Sequence, residues 1–354
     1  MTRQQIASET GRALAGANLK AIPAVMGFDG FVDDILHVVD KRHAYDKWDR
    51  LATIAEFGKK ISAAAGESAN FETVTLQQKL GGNGPIMANA MACIGFPVTY
   101  IGTVGDFAFG PGGSVHAVFQ DFARRAKVIP LASSAHTNAL EFTDGKLMLG
   151  NLAPCAEVNW PRILETMGGG AGSAEGLAKL RALFDNAGFL GMLNWTMLPH
   201  ATDVWQKIGT EILPHISNKP RRAFIDLADP QKRTPADIRA ALDTMLQLNS
   251  RIQITLGLNL SEATQVAKVL GVPVSADADG AIQDLALQIR AKVPIDTVVI
   301  HPRKGAAAAN AAGSAQFAGP FVLHPKISTG AGDHFNAGFA TGQLIGRASC
   351  RERV

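Results

Sequence analysis

Along the C-terminal half of the chain, short continuous apolar blocks alternate with segments of helical spacing. The blocks fall at residues 188–193, 222–227, 252–256 and 296–300, each short enough for a strand and apolar enough to be covered on both faces. This alternation predicts a mostly parallel sheet flanked by helices. Upstream, residues 3–16 predict a helix, 21–27 a buried strand ending at a glycine, and 35–39 a further strand. Trp48 to Ala65 places Leu51, Ile54, Phe57 and Ile61 on one face and predicts an amphipathic helix. Residues 71–80 alternate as a strand with one covered face does. Short strands are predicted at 127–131, 137–142 and 146–150, the last two joined by a hairpin turn at Thr143–Lys146. Strands at about 32–40, 71–80 and 136–150 predict a small β lid, and 127–131 is assigned to it as well. The run Met167–Ser173 is rich in glycine with no strand before it, and reads as a loop.

A chain of 354 residues suits one large α/β domain with a minor subdomain. Hydrophobic residues at 47% and charged residues at 18% mark a globular protein. A net charge of +3 with scattered basic residues argues against a nucleic-acid partner. No apolar run approaches the roughly 18 residues of a membrane span, and the N-terminus lacks a signal-peptide core. Cys93, Cys155 and Cys350 show no metal-like spacing, so a reducing cytoplasm is the expected location. Residues 345–354 lack helical apolar patterning and resemble the in-frame translation of a sequencing adapter. They are expected to be a non-native tail on a kinase domain of residues 1–344.

The most informative chemistry lies at residues 328–339, Ser-Thr-Gly-Ala-Gly-Asp-His-Phe-Asn-Ala-Gly-Phe. A glycine-rich turn here runs into a helix, whose first N–H groups are unpaired and attract anions. Gly330 and Gly332 allow close backbone approach. An acid, Asp333, in that position would repel a merely bound phosphate. It makes sense as a base that takes a proton from a hydroxyl while Gly330, Ala331 and Gly332 hold a phosphoryl group in transfer.

This run resembles the C-terminal signature of the ribokinase-like (PfkB) carbohydrate kinases, and the likeness extends over about Val25 to Leu344. The resemblance implies a three-layer α/β sandwich with a mostly parallel central sheet and a small β lid. It also implies transfer of the γ-phosphate of ATP, with Mg²⁺, to a sugar hydroxyl. Three acids, Asp29, Asp33 and Asp34, crowd the end of the first strand, where ligands bind in open α/β sheets. Asp33 best matches the family's substrate-binding Asp, and Asp29 competes for the role. The turn Gly81-Gly82-Asn83 before a helix matches the family's sugar-binding double glycine. Its usual Asn position falls on Ile86, so Asn83 is the candidate. Gly102–Gly110 matches a further family turn, in which Asp106 reads as a turn residue. Glu141 in the lid is a further candidate sugar contact.

Asp226 and Asp229 flank a strand end and could line the cleft, and Asn194 with Trp195 could approach substrate. Asn259 and Glu262 match the family's Asn-x-x-Glu element, associated with Mg²⁺ and phosphate through water, and the same pair forms a helix-capping pattern. On the nucleotide side, His301-Pro-Arg-Lys-Gly305 is one residue shorter than the family's segment. It offers Arg303, Lys304 and Gly305 to phosphate or stands as a solvated basic loop, and His301 is not read as catalytic. Asn336 is assigned to the nucleotide by the same resemblance. Ile327 stands where the family often carries an Asp linked to a monovalent cation. Two alternatives remain: a nucleoside kinase stacking a base on Phe28 or Phe31, and a non-catalytic regulatory protein binding sugar or nucleotide. Exposed lid strands can pair between subunits, which leaves a homodimer open.

Overall fold

A computed structural model describes residues 3–107, 113–168, 170, 173–275, 281–319, 322 and 330–346. The continuous apolar blocks are strands, Phe189–Met192, Arg222–Asp226, Gln253–Leu258 and Thr297–Ile300. Their parallel ladder continues through Ala24–Phe28, Val98–Gly102 and Lys127–Pro130. Two strands, Gly305–Asn310 and Gly313–Ala318, add an antiparallel edge, making nine. Successive side chains point to opposite faces. Val25, Ile225, Leu256 and Ile300 share a core with Ile238, Leu242, Val266, Leu285 and Ile289 of helices Pro235–Leu248, Leu260–Leu270 and Ile282–Lys292. Met26, Tyr100, Phe224 and Val299 pack with Met87, Met91, Ala337 and Ala340 of helices Asn83–Ile94 and Ala331–Leu344. The result is a three-layer sandwich, as expected.

Chain order fixes where a ligand can bind. From Ala24–Phe28 the chain moves outward to Val98–Gly102 and Lys127–Pro130. It then returns to Phe189–Met192 on the other side of the first strand and continues in the opposite direction. Between Ala24–Phe28 and Phe189–Met192 the connections diverge and open a crevice at the carboxyl ends of the strands.

A second sheet rises from that crevice. Its long strand Phe31–Ala44 pairs with Thr73–Gly81, with Lys47–Arg50 and, in parallel, with Ala135–Glu141, which in turn pairs with Lys146–Asn151. The predicted segments 32–40, 71–80 and 136–150 are therefore here. Residues 127–131 are not: Lys127–Pro130 is the edge strand of the large sheet, paired with Val98–Gly102. Trp48 also departs from expectation, lying in Lys47–Arg50, and the helix covers only Ile54–Ala63. It begins there because Thr53 accepts from the Glu56 N–H while the Glu56 carboxylate accepts from the Thr53 N–H.

The small sheet has a core of its own, Leu36, Val38, Leu51, Phe57, Leu140 and Phe142. Phe57 stacks on Phe142 with centroids 5.7 Å apart and meets Phe71 edge-on at 5.4 Å. Phe57→Ala is expected to cost about 3–5 kcal/mol. Hydrogen exchange should show lost protection in Phe31–Ala44 and Ala135–Asn151 while Arg222–Asp226 keeps its protection. Equal loss in both sheets would mean that the small sheet is not an independent unit.

Candidate active site

Every parallel strand near the crevice delivers a polar residue at its carboxyl end. Asp29 follows Ala24–Phe28, Asn194 follows Phe189–Met192, Asp226 ends Arg222–Asp226, Asn259 follows Gln253–Leu258 and His301 follows Thr297–Ile300. Asp333 joins them from the first turn of helix Ala331–Leu344, which packs on helix Asn83–Ile94.

Asp29 is wholly buried. Its carboxylate accepts from the Gly84 N–H at 2.9 Å, from Asn194 Nδ2 at 2.7 Å and from the Tyr100 hydroxyl at 3.3 Å. The Tyr100 hydroxyl also donates to the Asp29 carbonyl at 2.6 Å. Burial nevertheless raises its pKa above the ordinary carboxylate value. Asp29 thus anchors the Gly81–Gly84 turn to two strands. The turn must be bare: a Cβ on Gly81 would lie 2.3–2.5 Å from the Asp33 carboxylate, and one on Gly84 2.4 Å from Asp29 Oδ1. Gly82, at φ +93°, adopts a conformation that side chains rarely tolerate. Asp33 is buried over this turn, and burial pushes its carboxyl up to about 6, with Lys79 and a hydrogen bond to Thr137 acting in the other direction.

Asn83 crosses from the turn to the far helix, its Nδ2 donating to Asp333 Oδ1 at 2.9 Å. Asp333 is buried, and burial lifts its carboxyl to about 8, opposed by the Asn83 hydrogen bond and reinforced by the charges of Asp29 and Glu262. Beneath it, Asn336 Nδ2 donates to Asp226 Oδ2 at 2.8 Å. The second carboxylate oxygen of Asp226, Oδ1, and the side-chain oxygen of Asn336, Oδ1, are buried without a hydrogen-bond partner. Burial, together with Glu262 and Asp333, pushes the Asp226 carboxyl well up. Glu262 accepts from the Asn259 N–H at 2.8 Å, from Asn259 Nδ2 at 2.7 Å and from the Asp229 N–H at 3.2 Å. The capping pattern foreseen for Asn259 and Glu262 is therefore realised.

Three candidates sit elsewhere than expected. Glu141 pairs with Lys146 Nζ at 2.5 Å, at the far end of the strand that meets Phe31 through Ala135. Asn336 is wholly buried behind Asp226, so it supports that acid and offers no surface to a nucleotide. Gly305 opens strand Gly305–Asn310, where a Cβ would stand 2.6 Å from the Phe317 carbonyl oxygen. Arg303 and Lys304 are exposed on the turn before it, and Asp106 lies in a two-residue strand paired with Ser114–Val115. Trp195 is buried and packs, while Asn194 bonds Asp29. Tyr100 was missed altogether, since nothing in an alternating strand marks which residue will meet a distant acid. Ile327, Ser328, Thr329 and the tail from residue 347 lie outside the described residues.

Among the described residues no group of three or more His, Cys, Asp or Glu is arranged to hold a metal, and no helix is long and apolar enough to cross a membrane.

A family model for prokaryotic ketohexokinase matches residues 2–351. Ketohexokinase of Haloferax volcanii is 28% identical over 328 residues, which cover 92% of this chain and 82% of that protein. Ribokinase from Cryptococcus neoformans var. grubii in complex with ADP matches with a TM-score of 0.58 at 15% identity, covering 93% of this chain and 88% of that one. Adenosine kinase from Sinorhizobium meliloti matches with a TM-score of 0.56 at 18% identity, covering 93% and 89%. The structural likenesses carry the ribokinase-like fold, and the family match carries the class: the chain is a carbohydrate kinase and belongs to the prokaryotic ketohexokinase family.

Proposed function

We propose that this kinase transfers the γ-phosphoryl group of ATP to a hydroxyl of a ketohexose, with Asp333 as the general base. The observation that carries the reading is the Asn83–Asp333 hydrogen bond, which ties the glycine turn on one side of the crevice to the base on the other. A ketohexose is the acceptor to which the family and the Haloferax relative point. Its hydroxyls would meet Asp33 and the Gly81-Gly82-Asn83 turn, while Asp29 holds that turn in place. Asp33 would be largely ionised at neutral pH and would accept hydrogen bonds from the sugar.

The transferred group would lie on the N–H groups at Gly330, Ala331 and Gly332, where a helix end offers unpaired donors. In such transfers positioning and electrostatics supply most of the catalysis. The small sheet, rooted three residues beyond Phe28, would act as a lid that excludes water. Phe28 and Phe31 are both buried in the main core, so neither is offered to stack a nucleobase.

Mg²⁺ fits the oxygen-only donors beneath the base. It is held by one or two carboxylates, water and substrate phosphates, so a cage of three acids is not required. Asp226, with its unpartnered Oδ1, and Glu262 with Asn259 acting through water are the groups that would hold it. When bound, the ion would neutralise charge on the phosphates.

Mass spectrometry of the protein incubated with MgATP and a set of ketohexoses should show a product heavier by one phosphoryl group. Asp333→Asn should lower kcat by about 10²–10⁴-fold while leaving ATP affinity within a few-fold. A variant with normal turnover would remove Asp333 from the role.

Because the base works only when ionised, kcat/KM of the wild type should rise with pH through about 8. In Asn83→Ala, the loss of the hydrogen bond that lowers this value should move the rising limb upward. A limb that stays fixed would show that the contact does not tune the base. Chelation with EDTA should abolish turnover, and added Mg²⁺ should restore it.

A further inference from the structure

We infer that His301 donates a hydrogen bond from Nε2 to the phosphoryl group in transfer, closing the anion-binding turn from the side of the sheet. The inference rests on the kinase reading above and adds a residue to it. His301 is held at the end of strand Thr297–Ile300 by its backbone N–H, which donates to the Leu258 carbonyl at 2.9 Å. Its ring lies against Phe335, with centroids 4.7 Å apart and planes 34° apart. Cε1, the ring carbon bonded to Nε2, is 3.4 Å from where a Cβ on Gly332 would stand. The edge of the imidazole therefore borders the Gly330–Gly332 turn. Nε2 is buried there and has no hydrogen-bond partner. Buried polar atoms without partners are rare in folded proteins and mark places where a partner arrives.

A second imidazole at the turn does not share this role. His334 Nδ1 lies 2.8 Å from the Gly330 carbonyl oxygen, which can only accept, so that nitrogen carries a proton committed to holding the turn. The charged side chains nearby, Arg303 and Lys304, are exposed on the turn beyond Pro302.

The lack of charge on His301 has a chemical use. Burial lowers its ring to about 4, so at neutral pH it is uncharged, and its Nε2–H tautomer is a neutral donor. A fixed cation at the same place would favour the Asp333 carboxylate and make it a weaker base. A neutral donor stabilises charge on the phosphoryl oxygens and leaves the base its proton affinity.

The test compares the affinities of ATP and ADP by calorimetry, together with steady-state kinetics, on the full chain. His301→Phe keeps a ring against Phe335 and removes the N–H, and His301→Gln returns a donor. His301→Phe should weaken ATP by about 10- to 100-fold, leave ADP within about two-fold, and lower kcat with little change in the KM for ketohexose. His301→Gln should recover part of the ATP affinity and of kcat. Equal weakening of ATP and ADP in His301→Phe would overturn the inference, as would no change in either or a Gln variant no better than Phe. A wild type that binds ATP but phosphorylates no sugar would sink the proposed function, while the ATP and ADP comparison would still decide the role of His301.

Discussion

Five carboxyl groups, Asp29, Asp33, Asp226, Glu262 and Asp333, are buried at the carboxyl end of a single sheet, and much of the surrounding structure serves to make that tolerable. A buried acid without donors either forfeits stability or takes up a proton. For three of them the donors come from far along the chain, Asn194 and Tyr100 for Asp29, Asn336 for Asp226 and Asn83 for Asp333, while Glu262 takes the amide of its own helix cap, Asn259, and that of Asp229. The pairings of Asp29, Asp226 and Asp333 tie separate strands and helices together, so the electrostatic requirement also fixes the geometry of the crevice.

The acids are not equally compensated, and that inequality is what suggests separate tasks. Asp29 is surrounded by donors and holds a turn. Asp333 has one side-chain donor, two neighbouring charges in Asp29 and Glu262, and a pKa near 8, the condition the proposed base requires to take a substrate proton. Asp226 keeps one oxygen without a partner, the condition of a group waiting for a cation. Beside Gly332, His301 keeps an unpartnered nitrogen. Unsatisfied atoms of both signs thus stand at strand ends of one sheet, where the proposed reaction would bring nucleotide, metal and sugar together.

Much of the fold was legible because buried parallel strands write themselves as continuous apolar blocks, and those at 189–192, 222–226, 253–258 and 297–300 lie within a residue or two of their expected bounds. Partners were less legible. The strand at 127–130 looks like the lid strands locally, and only its pairing with Val98–Gly102 assigns it to the large sheet. Trp48 was drawn into a helix by apolar spacing, whereas the Thr53–Glu56 cap decides where that helix starts. In the site, the clash between an acid and an anion-binding turn singled out Asp333, glycine spacing singled out Asn83, and the structure joins the two by a hydrogen bond. Glu141 and Asn336 went astray because sheet register and helix facing, invisible in a local motif, decide what those side chains reach. His301 was passed over as a lone histidine, because its burial and its bare Nε2 exist only in three dimensions.

The central claim is that burial among like charges makes Asp333 a base of unusual proton affinity, and it can be measured without any substrate. Carboxyl-carbon NMR of the ¹³C-aspartate-labelled protein, with the Asp333 signal identified by its loss in Asp333→Asn, would follow that group through pH. The account predicts a midpoint near 8. A midpoint close to the ordinary aspartate value of about 3.9 would contradict it.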